Sequence, residues 1–197
     1  MKKNTIKAFT LVEMLIVIVI IGILIAALMP RMQAAQGRAR DVSRKTALSQ
    51  IQSAIVVSQW DLGKWPKQDS GTAGLNVSDI KDELVEAGMN WVPKDPLDGN
   101  KVTWLWSEWA DWEYRYMVVT RNWVGQWWFV LMAKTEVAGW SNWVQCTEGS
   151  GYTITSGTDI AKNITLCETV TKGDSCVANT TDCKYTTESE LRYIVLY

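Results

Sequence analysis

The sequence predicts an α+β fold in which one long N-terminal helix packs on an antiparallel β-sheet. Three observations predict it: an unbroken apolar run near the N-terminus, apolar residues at helical spacing beyond that run, and three runs of β-branched and aromatic residues of strand length further on. At 197 residues and 47% hydrophobic, the chain has enough material for one domain with a real core plus a terminal extension. The formal net charge of -1 gives no general attraction to nucleic acid, and charge does not point to glycan binding either. The absence of His removes the commonest general base and a frequent metal ligand. With no nucleophile elbow, no phosphate loop and carboxylates scattered without pairing, an enzyme is not expected.

The first element is Phe9 to Met29, apolar apart from Thr10, Glu13 and Gly22. As a helix it would span roughly 31 Å, about one hydrocarbon core. Lys2, Lys3 and Lys7 precede it as in a secretory signal, but the apolar core is too long and no small-residue cleavage site follows it. Basic residues do not settle its orientation, because Arg31, Arg38, Arg40, Arg44 and Lys45 on the far side outnumber the leading lysines. Glu13 is the expensive residue: an ionised carboxylate costs about 2.5 to 3.5 kcal/mol at the bilayer centre and less towards an interface. It either snorkels to the headgroups beside the positive helix end or finds a partner.

The segment Lys7-Ala8-Phe9-Thr10-Leu11-Val12-Glu13-Met14-Leu15 resembles the type III signal of type IV pilins and pseudopilins. Ala8 stands where that family usually has Gly. The resemblance implies a leader, residues 1–8, cut between Ala8 and Phe9 by a prepilin peptidase on the cytoplasmic side, with methylation of the new Phe9 amine. It implies a membrane-spanning and polymerising helix over 9–29, whose Glu13 pairs with the N-terminal amine of a neighbouring subunit. Gly22 and Pro30 fall where the family tends to weaken this helix, and the costs of about 1 kcal/mol for interior Gly and about 3 for Pro predict a kink or local melting.

Beyond Pro30, the apolar or small residues Met32, Ala35, Ala39, Val42, Leu48, Ile51 and Ile55 recur at helical spacing, with Arg38, Asp41, Arg44 and Lys45 between them. The amphipathic continuation is placed at 30–60, with one face against a globular domain. Trp60 to Leu75 reads as a connecting loop, broken at Gly63 and Pro66. A short helix follows, with Ser78 as its cap, Ile80, Leu84 and Val85 as its apolar stripe and Gly88 at its end. Val92-Pro93-Lys94-Asp95-Pro96-Leu97-Asp98-Gly99-Asn100 is a turn-rich loop similar to Pro-Lys-Asp-Pro loops of pilins and pseudopilins. Asp95, Asp98 and Asn100 offer oxygens of the kind calcium takes, although turn chemistry alone explains them.

Strands are expected at Glu113 to Val119, Trp127 to Lys134 and Leu191 to Tyr197, the last completing the sheet. A globular region over 61–145 thus precedes a Cys-containing region over 146–197. That last region is rich in Thr, Ser, Gly and Asn and hard to hold by burial alone. Four Cys allow three pairings, and short loops favour Cys146 with Cys167 and Cys176 with Cys183. Their spacing, without CxxC or His, does not suit zinc.

Twelve Trp against two Phe is an abnormal composition. Asn-Trp occurs at 90–91, 122–123 and 142–143, Trp127-Trp128 is a doublet, and Trp alternates with small or acidic residues over 107–112. These are contexts in which Gly is usual, as in Asn-Gly turns. One reading is that the source decodes UGA as Gly; the other is a surface of indoles for sugars, bases or protein partners.

The family resemblance implies a structural subunit of a type IV pilus or pilus-like filament, or alternatively a pseudopilin of a type II secretion system. Its partners would be copies of itself, the prepilin peptidase, and an assembly platform and ATPase at the inner membrane. The precursor would be a single-pass membrane protein with a cytoplasmic N-terminus, and the product an extracellular filament or periplasmic pseudopilus.

Overall fold

The computed structural model describes residues 9–68, 75–98, 101–104, 107–111, 113–121, 126–144, 166–173 and 182–197. Two units follow from the contact pattern, Met1–Gly37 and Arg38–Tyr197. Helix α1, Leu11–Leu62, begins in the first and ends in the second, and it stays helical through Gly22 and Pro30. The expected local melting at those two residues is therefore not present in this state of the chain. α1 ends at Gly63, whose φ of 71° is the left-handed conformation that L residues with side chains avoid, and whose N–H donates to the Gln59 carbonyl at 2.9 Å.

In the second unit, β1 (Leu75–Asn76), β4 (Arg115–Arg121), β5 (Gln126–Lys134), β6 (Trp143–Val144) and β9 (Leu191–Leu196) form a five-stranded sheet. Its order is β1-β4-β5-β9-β6, antiparallel throughout. The C-terminal strand thus lies inside the sheet, between β5 and β6. A separate hairpin joins β2 (Lys101–Trp104) to β3 (Ser107–Asp111), and β7 (Thr169–Lys172) runs parallel to β8 (Asp182–Tyr185).

The three expected strands correspond to β4, β5 and β9, with ends that differ by no more than two residues. Phe129, Leu131 and Ala133 on β5 and Tyr116 on β4 pack against Leu48, Ile51 and Ile55 of α1, together with Trp65, Ile80 and Leu84. Val130 and Met132 point to the opposite face and are buried as well, with Met117 and Ile194. Burial on both faces explains why the Phe129 to Ala133 run is continuously apolar rather than alternating.

Two local expectations need correction. Ser78 is not a helix cap: it lies inside a 3-10 turn, Val77–Ile80, that leads into α2 (Lys81–Glu86). Instead the Asn76 N–H donates to Asp79 Oδ2 at 2.9 Å at the start of that turn. Gly88 does end the helix, with φ 89°, and the Met89 N–H returns to the Leu84 carbonyl at 3.0 Å. The second correction concerns α1 before Leu48. Met32 and Val42 are 59% and 44% exposed, Ala35 and Ala39 are exposed too, whereas Asp41 and Arg44 are fully buried.

Candidate assembly site

The start of α1 is a reciprocal cap. Thr10 precedes the first helical residue, and its Oγ1 accepts the Glu13 N–H at 3.2 Å. Glu13 Oε2 in turn accepts both the Thr10 N–H and the Thr10 hydroxyl, each at 2.8 Å. This Thr-x-x-Glu box satisfies donors that a helix start otherwise leaves open, and places a carboxylate at the positive end of the helix. The Thr-x-x-Glu pattern is legible in Thr10-Leu11-Val12-Glu13, and it adds Thr10 as the local partner of Glu13 to the helix end and the neighbouring amine expected from the sequence. Phe9, one residue upstream, is 77% exposed; Ala8 lies outside the described residues.

Downstream of the cap the helix is long and apolar enough to cross a membrane, and its most apolar stretch has no residue buried within the chain. Ile18 and Ile23, for example, are 67% and 66% exposed. A Cβ added at Gly22 would meet nothing within 4 Å, so no close approach inside the chain requires glycine there.

Further along, the second half of α1 is fixed by charge. Arg44 donates from Nε and Nη2 to the two Asp95 oxygens at 2.7 and 3.0 Å, and from Nη1 to Asp41 Oδ1 at 2.6 Å and Glu136 Oε1 at 2.8 Å. Arg40 adds a two-pronged bond to Glu136 at 2.7 and 2.5 Å. Asp41 also accepts the backbone N–H groups of Glu136 and Val137, at 2.9 to 3.1 Å. Three helical residues thereby hold the turn after β5, and one of them, Arg44, holds the Pro-Lys-Asp-Pro loop as well.

Burial pulls the Arg44 guanidinium down, but its bonds to Asp95, Glu136 and Asp41 outweigh it and keep the group charged. Burial likewise raises Glu136, yet Arg40 and Arg44 prevail and hold its carboxyl below the ordinary range. Asp41 goes the other way: burial pushes it above the ordinary range despite the backbone donors and Arg44. Lys45, one residue on, sits 4.7 Å from the Trp140 ring centroid and 4.3 Å from that of Tyr193, a cation held between two aromatic faces.

Residues 3–29 match the family of the prokaryotic N-terminal methylation motif. A fimbrial protein of Neisseria meningitidis serogroup A is 36% identical over 82 residues, which is 41% of this chain and 48% of that protein. A type IV major pilin protein PilE1 of Neisseria gonorrhoeae is 37% identical over 82 residues, 41% of this chain and 38% of that protein. The likeness to a type IV major pilin protein PilE of Neisseria gonorrhoeae runs much further, 34% over 132 residues, 59% of this chain and 77% of that protein. The chain belongs to the type IV pilin family. The first and second of these relatives are matched over about half their length or less, and no solved structure matches significantly.

In this pilin the cysteine pairing differs from the expected one. Cys167 is bonded to Cys183, closing a sequence separation of 16 residues and tying the segment just before β7 to β8. Local loop length was the wrong guide: β7 and β8 pair in parallel with Val170 opposite Cys183, and Cys167, just before β7, comes within a Cα separation of 5.6 Å of Cys183. The Cys167 N–H also donates to the Asn142 carbonyl at 2.8 Å, next to β6. Cys146 and Cys176 lie outside the described residues.

Of the three residues with oxygens suited to calcium, Asp95 is 6% exposed and its two oxygens are taken up by Arg44. Asp98 bonds Lys94 at 2.8 Å, and Asn100 lies outside the described residues. Among the described residues no cluster of His, Cys, Asp or Glu is arranged to hold a metal.

The described indoles range from buried to largely exposed, with Trp128 37% exposed and Trp140 half-buried. Trp65 and Trp143 are buried, and Trp65 meets the Phe129 ring edge-on at 5.0 Å; Trp60 and Trp91 are 81% and 67% exposed. Among the described residues the single non-Gly position with positive φ is Lys67, so no Trp described here sits in a backbone conformation that demands glycine.

Proposed function

We propose that this pilin is the structural subunit of a type IV pilus, processed between Ala8 and Phe9 and assembled through α1. The observation that carries the reading is the exposed apolar half of α1, which bears a single carboxylate at its start. So much apolar surface is stable only in lipid or against copies of itself, and a filament of parallel helices supplies the second once the first is left.

Glu13 links the two states. Within the single chain its charge is satisfied by Thr10, which lowers the cost of holding it at the membrane boundary. Cleavage after Ala8 creates an amine on Phe9, and a positive amine on a neighbouring subunit is a stronger partner than a neutral hydroxyl. Glu13 then sets the register of the incoming subunit, which is why processing precedes polymerisation. Removing Lys2, Lys3 and Lys7 with the leader takes the net charge from -1 to -4. The energy for extracting the helix from the inner membrane comes from an assembly ATPase acting through a platform protein. The named pilins among its relatives favour a pilus over a secretion pseudopilus.

Intact-mass and N-terminal peptide spectrometry of the protein from its native cells tests the processing. The expected first residue is methylated Phe9, in material sheared from the cell surface. A chain retaining Met1 and confined to the membrane fraction would leave a simple membrane-anchored domain and sink the filament reading.

A further inference from the structure

Trp91, 67% exposed, lines a cavity of about 280 Å³ together with Lys81, Lys94, Asp98, Glu113 and Tyr114. We propose that this cavity binds a neutral pyranose-containing glycan, with the sugar ring stacked on the Trp91 indole. The proposal goes beyond filament assembly and does not rest on it.

The wall that carries Trp91 is held in place before any ligand arrives. Asp95 is clamped by the buried Arg44, and its Oδ1 also accepts the Leu97 N–H at 2.8 Å. The Asp98 N–H donates to the Asp95 carbonyl at 3.0 Å, and Pro93 and Pro96 fix two φ angles in the same stretch. A large aromatic face exposed on a loop this constrained loses little further entropy on binding.

The polar groups around it select the ligand class. Lys81, Lys94, Asp98 and Glu113 line it, two ammonium groups and two carboxylates, with a third lining carboxylate, Asp95, already taken up by Arg44, and Lys94 is bonded to Asp98 at 2.8 Å. An anionic ligand finds no excess of positive charge, and a wholly apolar one would strip water from four charged groups without replacing it. A neutral sugar fits both constraints. Its C–H face covers the indole, while its hydroxyls, each a donor and an acceptor, bond ammonium and carboxylate alike.

The test uses the full chain in a sugar-free zwitterionic detergent, probed against an array of neutral and acidic glycans, beside the Trp91→Ala variant. Neutral hexose-containing glycans should bind, and Trp91→Ala should weaken that binding by about tenfold or more, with thermal unfolding unchanged because the indole is exposed. Absence of neutral-glycan binding, binding confined to acidic glycans, or equal binding by the variant would each overturn the proposal. So would a peptide from native cells carrying Gly at position 91.

Discussion

Arg44 is the residue on which the second unit turns. Its guanidinium is wholly buried and bonded to Asp41, Asp95 and Glu136, so truncating it takes a shared cation from three carboxylates, of which Glu136 keeps its bond to Arg40. Breaking a buried pair from one side costs about 3 to 5 kcal/mol, far more than the pair gains over an apolar substitute. Arg44→Met should therefore lower the urea midpoint of the second unit by a large step, followed by the near-ultraviolet signal of its buried Trp, while Arg38→Met on the exposed side should barely move it. In the sequence Asp41 and Arg44 fall between the apolar positions with no sign of their burial, because helical spacing counts apolar residues and cannot see partners 51 and 92 positions away. Acid acts on the same cluster. Glu136 has its folded pKa held below its unfolded value, so its contribution is present above the ordinary Glu range and fades as pH falls through the lower folded value. Asp41, shifted up, has the opposite slope. Glu136→Gln should thus be less stable than the parent near pH 7 yet lose less between about pH 7 and about pH 4, as read from urea midpoints at the two pH values. A parallel loss in both proteins would show that Glu136 is not the acid-sensitive member.

At the scale of elements, the reading succeeded where one period dominated and failed where pairing is long-range. The apolar run of α1, the stripe from Leu48 to Ile55, and strands β4, β5 and β9 all announce themselves locally. The two-residue strands β1 and β6 carry no period at all, and they exist because β4 and β9 offer them an edge. The disulfide belongs to the same class of miss: nothing local says that β8 lies parallel to β7. Since the bond closes a loop of 16 residues, its removal should destabilise by about 3 kcal/mol through the freedom returned to the unfolded chain. Cys167→Ser and Cys183→Ser should then lower thermal stability by similar amounts, and the double variant by no more than either alone. Markedly unequal single effects would mean that Cys183, which is 3% exposed, acts mainly through packing.

For the whole molecule, the same carboxylate has to serve two environments. In the isolated chain Glu13 is bonded to Thr10, so its charge does not depend on a neighbour. In the proposed filament it bonds the Phe9 amine of another subunit, and the Thr10 box is what it exchanges. Glu13→Gln preserves size and can still accept from the Thr10 N–H, so it keeps most of the cap, which is worth about 1 kcal/mol. It removes only the attraction between opposite charges. The expected outcome is a variant that inserts in the membrane and is cleaved at Ala8, yet accumulates there while the sheared surface fraction contains no filaments by electron microscopy. Thr10→Val gives the complementary case, because it deletes the hydroxyl partner and leaves the charge. That variant should still polymerise, since the amine replaces the lost bond. Filaments from Glu13→Gln at parental abundance would show that α1 polymerises on apolar packing alone, with register set elsewhere in the chain.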